Sequence, residues 1–123
     1  MTYSFTIPGQ LPGLNDIIAA NRSTYHAGAK QKRDAQFMIK LAAHKLSKLT
    51  EPVKLEYVWY EPARRRDWDN VMAGQKFVQD ALVEARKLSN DGWANICGIS
   101  HEFRVDKDNP RVEVTITDSA FAD

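Results

Sequence analysis

Val53-Lys54-Leu55-Glu56-Tyr57-Val58-Trp59-Tyr60 runs apolar and polar by turns, with Val58 the one exception, until Glu61-Pro62 closes it. Successive side chains of a strand point to opposite faces, so this stretch predicts a β-strand buried on one face and wet on the other. Cover for the buried face is present on both sides in sequence. Ala35, Met38, Ile39, Ala42, Leu46 and Leu49 recur at helical spacing before the strand, with the lysines mostly off that stripe. Val71, Val78, Ala81, Leu82 and Ala85 mark a second helix after it, from about Asn70 to Lys87. Gly74 inside that helix costs about 1 kcal/mol relative to Ala. It marks a first turn that is irregular or closely approached.

Tyr3, Phe5 and Ile7 alternate with small polar residues and stop at Pro8-Gly9, predicting an opening strand. Ile99, His101, Phe103 and Val105 predict a third strand. Val112, Val114 and Ile116 predict a fourth, expected to be its hairpin partner across the turn at Asp106–Pro110. Residues 8–29 carry Pro8, Gly9, Pro12 and Gly13 and no sustained periodicity, so a long functional loop is expected there. The order is β-α-β-α-β-β: one α+β domain over residues 1–123, a mixed sheet packed by two helices.

With 123 residues and 43% of them apolar, the chain can bury a core without staples. A lone cysteine, Cys97, excludes an intrachain disulfide and suits a reducing cytoplasm. Between Ile96 and Ile99 it reads as a buried structural thiol. No apolar stretch reaches membrane-span length and the N-terminus lacks a signal-peptide pattern, so a cytoplasmic location is expected. His26, His44 and His101 lack zinc-like spacing, and no phosphate-binding glycine loop is present. Asp106-Lys107-Asp108-Asn109 lacks the glycine and terminal Glu of a calcium loop.

The net charge of +1 hides a sorted distribution. Arg22, Lys30, Lys32, Arg33, Lys40, Lys45 and Lys48 face one acid, Asp34, between Asn21 and Lys48, while acids concentrate after Asp80. An anionic partner for the first half and a cation for the acids follow from that asymmetry, with a solvated helix face as the alternative for Lys40 to Lys48.

Arg64-Arg65-Arg66-Asp67-Trp68-Asp69-Asn70 sets three guanidinium groups against two carboxylates. Carboxylates hold a hard cation and arginines hold phosphate oxygens, so the segment suits a metal brought to a phosphodiester. The bland reading is a helix start capped by Asp69 or Asn70. If the backbone is extended, the i, i+2 spacing turns both acids to one side. Asn90-Asp91-Gly92-Trp93 adds a third acid at a turn after the helix. Arg64, Arg65 and Arg66 are candidates for phosphate contact. Asn70 either orients an acid or phosphate or caps the helix. Arg22, Lys30, Lys32 and Arg33 are candidates for DNA contact by charge alone. Trp68 and Trp93 are expected in the core, with stacking on unpaired bases as the alternative.

In this order, Pro8-Gly9-Gln10-Leu11-Pro12-Gly13-Leu14-Asn15, the Arg-Arg-Arg-Asp-x-Asp-Asn signature, Lys76-x-x-x-Asp80-Ala81-Leu82, Asp91 and the closing strand Arg111–Ile116 resemble the RusA family of Holliday-junction resolvases, small phage and prophage endodeoxyribonucleases. The resemblance runs through most of the chain. It implies a homodimer that cuts branched DNA at four-way junctions, with Asp67, Asp69 and Asp91 holding Mg²⁺ (or Mn²⁺) and a lysine beside them. Through the resemblance Asn15 joins the candidates for DNA contact. The family pattern places that lysine four residues beyond the second acid, where this chain has Ala73. An insertion of nearly one helical turn makes Lys76 the counterpart. A surface Lys76–Asp80 pair is the alternative. A branched-DNA-binding protein with weak or no cleavage is the second functional reading.

Overall fold

The structure is a computed structural model and describes residues 1–120. The predicted central strand forms as β2 (Val53–Glu61), and its inward phase, Val53 through Trp59, is buried at every second residue. Strand β1 (Thr2–Pro8) precedes it, and β3 (Ile96–Val105) and β4 (Arg111–Thr117) follow. They make one mixed sheet in the order β1-β4-β2-β3. Gly9 takes φ +80°, a conformation that glycine adopts without a Cβ penalty, and its N–H donates to Pro110 O at 2.9 Å to fix the turn after β1.

β3 and β4 are not the hairpin partners expected. β3 pairs parallel with β2, and β4 pairs antiparallel with both β2 and β1. The link at 106–110 passes over the end of β2, where Asp106 N–H donates to Glu61 O at 2.8 Å. Burial explains the choice. The inward residues of β4 (Val112, Val114, Ile116) are all buried and need neighbours on both sides, whereas those of β3 leave Ile99 and Val105 about half exposed. The more apolar strand takes the interior position and β3 the edge.

Parallel β2–β3 pairing requires a crossover, and two short helices supply it: α3 (Trp68–Met72) and α4 (Gln75–Glu84). The single helix expected from Asn70 to Lys87 breaks at Ala73-Gly74. A Cβ on Gly74 would sit 3.0 Å from Leu11 Cβ and 3.3 Å from the Trp59 ring, so glycine lets the chain pass over the core here.

Residues 8–29 are not a loop throughout. They form α1 (Leu14–Ser23) and the first turn of α2 (Tyr25–Ala42), which Thr24 caps by accepting from Ala27 N–H at 3.0 Å. α1 has no fully buried residue, and its apolar spacing is short: Leu14, Ile17 and Ile18 span little more than one turn, with Ile17 packed partly buried against the core. Ile39 of α2 and Val78 and Leu82 of α4 press on the inward face of the sheet. Leu49, expected on the first helix, follows a turn instead and is buried. Among the described residues no helix is long and apolar enough to cross a membrane.

Candidate active site

Strand β2 delivers the arginine–aspartate segment to the mouth of a cleft of about 990 Å³. Asp67, Trp68 and Asp69 line it from the segment, with Phe103, Arg104 and Val105 from the end of β3. Asp67 is extended (φ −65°, ψ 160°), but α3 begins at the next residue. The extended-backbone reason for pairing the acids therefore fails beyond Asp67, yet both line the same cleft. Neither Asp69 nor Asn70 caps α3. Asp67 holds the N-cap position, without a side-chain cap bond.

The three arginines have different fates. Arg64 and Arg65 are exposed and suited to phosphate. Arg66 is held inside the fold, its Nε donating to Glu61 Oε1 at 2.8 Å and its Nη2 to Oε2 at 2.9 Å. A third donor reaches Leu11 O at 3.2 Å, and Asp16 lies 3.8 Å away. Arg66 is a structural residue rather than the phosphate ligand expected. Glu61, on the inward phase of β2, is the cause: a buried carboxylate needs a bidentate partner.

Asn70 does not cap α3. Its Oδ1 accepts the Asn15 backbone N–H at 3.1 Å, tying the first turn of α1 to α3. Lys30 pairs with Asp34 at 2.6 Å and Lys32 approaches Asp80 at 3.9 Å. Arg22 and Arg33 are exposed on α1 and α2.

Lys76 donates to Asp80 at 3.0 Å and lies 3.9 Å from Asp91. The hydrogen bond and charge of Asp80, and then the charge of Asp91, hold its ammonium above the ordinary lysine range. Both the i, i+4 pair and the approach to a candidate catalytic acid are thus present. Asp91 borders a different hollow, at the start of β3, with Gln79, Trp93 and Ile96. Among the described residues no three His, Cys, Asp or Glu side chains gather closely enough to hold a metal ion. Asp67 and Asp69 stand at one end of β3, and Asp91 stands at the other.

Neither Trp68 nor Trp93 is in the core. Trp68 is 69% exposed, and Trp93 is fully exposed. Cys97 is exposed as well, on the edge strand, with Sγ donating to Val53 O at 3.4 Å. Trp68 stacks on Phe103 with ring centroids 4.9 Å apart and planes 1° from parallel. Phe103 stacks on His101, and His101 on Tyr57 and Trp59, so a ladder of rings climbs from the core to the cleft. Trp59 Nε1 donates to His101 Nδ1 at 2.9 Å, which requires that nitrogen to be unprotonated.

Burial holds the His101 pKa below its ordinary value of 6.5. As pH falls through that value the unfolded chain takes up its proton first, so stability declines until the folded pKa is passed. Urea denaturation between pH 7.5 and 5 is expected to show a larger loss for the wild type than for His101→Phe. Equal losses would remove His101 from the acid response.

The family model described as endodeoxyribonuclease RusA matches residues 15–117. The chain belongs to the RusA family. That family is one of Holliday-junction-resolving endodeoxyribonucleases, and membership supports nuclease activity. The match begins at Asn15 and takes in all three acids, Lys76 and β4. No curated protein matches the chain. Among solved structures, PurLQS from Thermotoga maritima is similar over 94% of this chain and 17% of that one, at 12% identity and a TM-score of 0.32, too low to bear on fold or function.

Proposed function

We propose that this RusA-family nuclease works as a homodimer in which each active site takes Asp67 and Asp69 from one copy and Asp91 from the other. The observation that carries the reading is the separation of the acids along β3, an edge strand whose outer side is unpaired among the described residues. A two-fold axis through that edge sets β3 antiparallel to its mate. The Asp91 end of one copy then meets the Asp67–Asp69 end of the other, twice. Ile99 and Val105 lie half exposed along the edge, apolar surface that such a contact would cover. A four-way junction needs two symmetric cuts, and a two-fold dimer supplies two sites.

The donor set, three carboxylates without thiolate or imidazole, fits Mg²⁺ or Mn²⁺. Such an ion supplies a water-derived nucleophile and neutralises charge on the phosphate when bound. The chain's own residues do the rest. Lys76, kept protonated by Asp80, offers a positive charge to the scissile phosphate rather than acting as a base. Arg64 and Arg65 hold backbone phosphates, and Arg22 and Arg33 extend the positive surface across α1 and α2.

A synthetic four-way junction is expected to be cut at symmetric positions in Mg²⁺ while a linear duplex of the same sequence survives. Equal cutting of both, or full activity from a monomer, overturns this reading. Arg64→Ala and Arg65→Ala are each expected to weaken junction binding and to reduce the slope of log K against log salt by about one unit. An unchanged slope would mark them as solvated charge.

A further inference from the structure

We propose that Trp68 is a stacking platform for an unpaired nucleobase of the strand being cut, an inference that rests on the junction-nuclease reading above. Phe103 covers one indole face, and with 69% of the residue in solvent the other face is open. Stacked aromatic pairs normally bury their large apolar area, so a tryptophan left this open forgoes most of that gain. Its orientation is nevertheless fixed. Phe103 leans on His101, which is held in turn by the Trp59 hydrogen bond and by stacking on buried Tyr57. A ring added to Trp68 would continue this ladder without ordering anything first.

Nucleobases are the flat rings that this position fits. Asp67 and Asp69 flank Trp68 in sequence and line the same cleft, so a base stacked on the indole brings its own phosphate beside the candidate metal-holding acids. Arg64 lines that cleft too, and its exposed guanidinium suits a phosphate. Bases inside a duplex have both faces covered, whereas a base at a branch point can leave the stack at the least cost. Stacking thus adds selectivity for branched over linear DNA at the place where cutting occurs. Without a cation the two carboxylates repel phosphate, so stacking carries a larger share of the attraction there.

The test uses the full chain in EDTA and a four-way junction with 2-aminopurine at a branch-point position. Wild type and Trp68→Phe are expected to quench the probe. Trp68→Leu, which keeps apolar cover on Phe103 but has no π face, is expected to lose the quenching and to bind the junction about tenfold more weakly. Its affinity for linear duplex should not change. Equal quenching and affinity in the Leu variant, with wild type still preferring junctions, overturns the platform alone. A wild type that shows no junction preference overturns the functional reading and the platform together. Conversion of Trp68→Leu to a monomer also overturns the platform, because it would make Trp68 a contact between copies.

Discussion

Asp67→Asn and Asp91→Asn, each unable to cut a junction alone, are expected to regain cutting when mixed. Each change keeps side-chain shape while removing one negative charge, and the loss in each homodimer should be at least about 10²-fold. A mixed dimer concentrates both changes in one of its two sites and leaves the other with Asp67, Asp69 and Asp91 intact. That site should nick one strand, so the mixture gives nicked junctions rather than paired cuts. The two variants are refolded together, one carrying a mass tag, so that exchange is verified independently of activity. Mixed dimers that stay inactive would mean that the acids meet within one chain. Junction binding in EDTA should hold or tighten in both variants, since each removes repulsion toward phosphate.

Arg66→Ala is expected to destabilise the fold by roughly 3 kcal/mol or more, the usual consequence of leaving a buried carboxylate without its partner. Glu61 is only 8% exposed and receives two guanidinium hydrogen bonds, and both would be lost. The double variant Glu61→Leu/Arg66→Leu should recover much of the stability, because it leaves no orphaned charge. Denaturant titration of the three proteins reads this directly. The result that would restore a phosphate role to Arg66 is a normally stable Ala variant that has lost one unit of salt slope.

The strands were legible because alternation is local: Val53 to Tyr60, Tyr3 to Ile7 and Val112 to Ile116 each declare a buried face. Neighbour order was not, because alternation says which side of a strand is wet and nothing of which strand lies beside it. α1 escaped notice because its apolar spacing, Leu14, Ile17 and Ile18, spans little more than one turn, right after the Pro/Gly-rich segment at 8–13. Arg66 was misassigned although a signal was present. Glu61 falls on the apolar phase of β2, and an acid on the buried face of a strand asks for a cation nearby. Asp67, Asp69 and Asp91 could be picked out as chemistry-bearing, but their placement at opposite ends of β3 depends on a crossover that sequence does not display. Trp68 and Trp93 were placed by the average habit of tryptophan, and both depart from it.

β4 comes after every other strand in the chain yet lies between β1 and β2, with Thr2 opposite Thr117 and Val58 opposite Glu113. Until those residues leave the ribosome, β1 has no sheet neighbour and β2 presents a bare backbone edge. The nascent chain therefore cannot complete its sheet in stages. Pairings that span nearly the whole chain impose a high loop-closure entropy and place folding toward the slow end for a domain of this size. A translation product stopped before Arg111 would expose β2 as an open template for other chains, and its fate would be aggregation rather than partial activity.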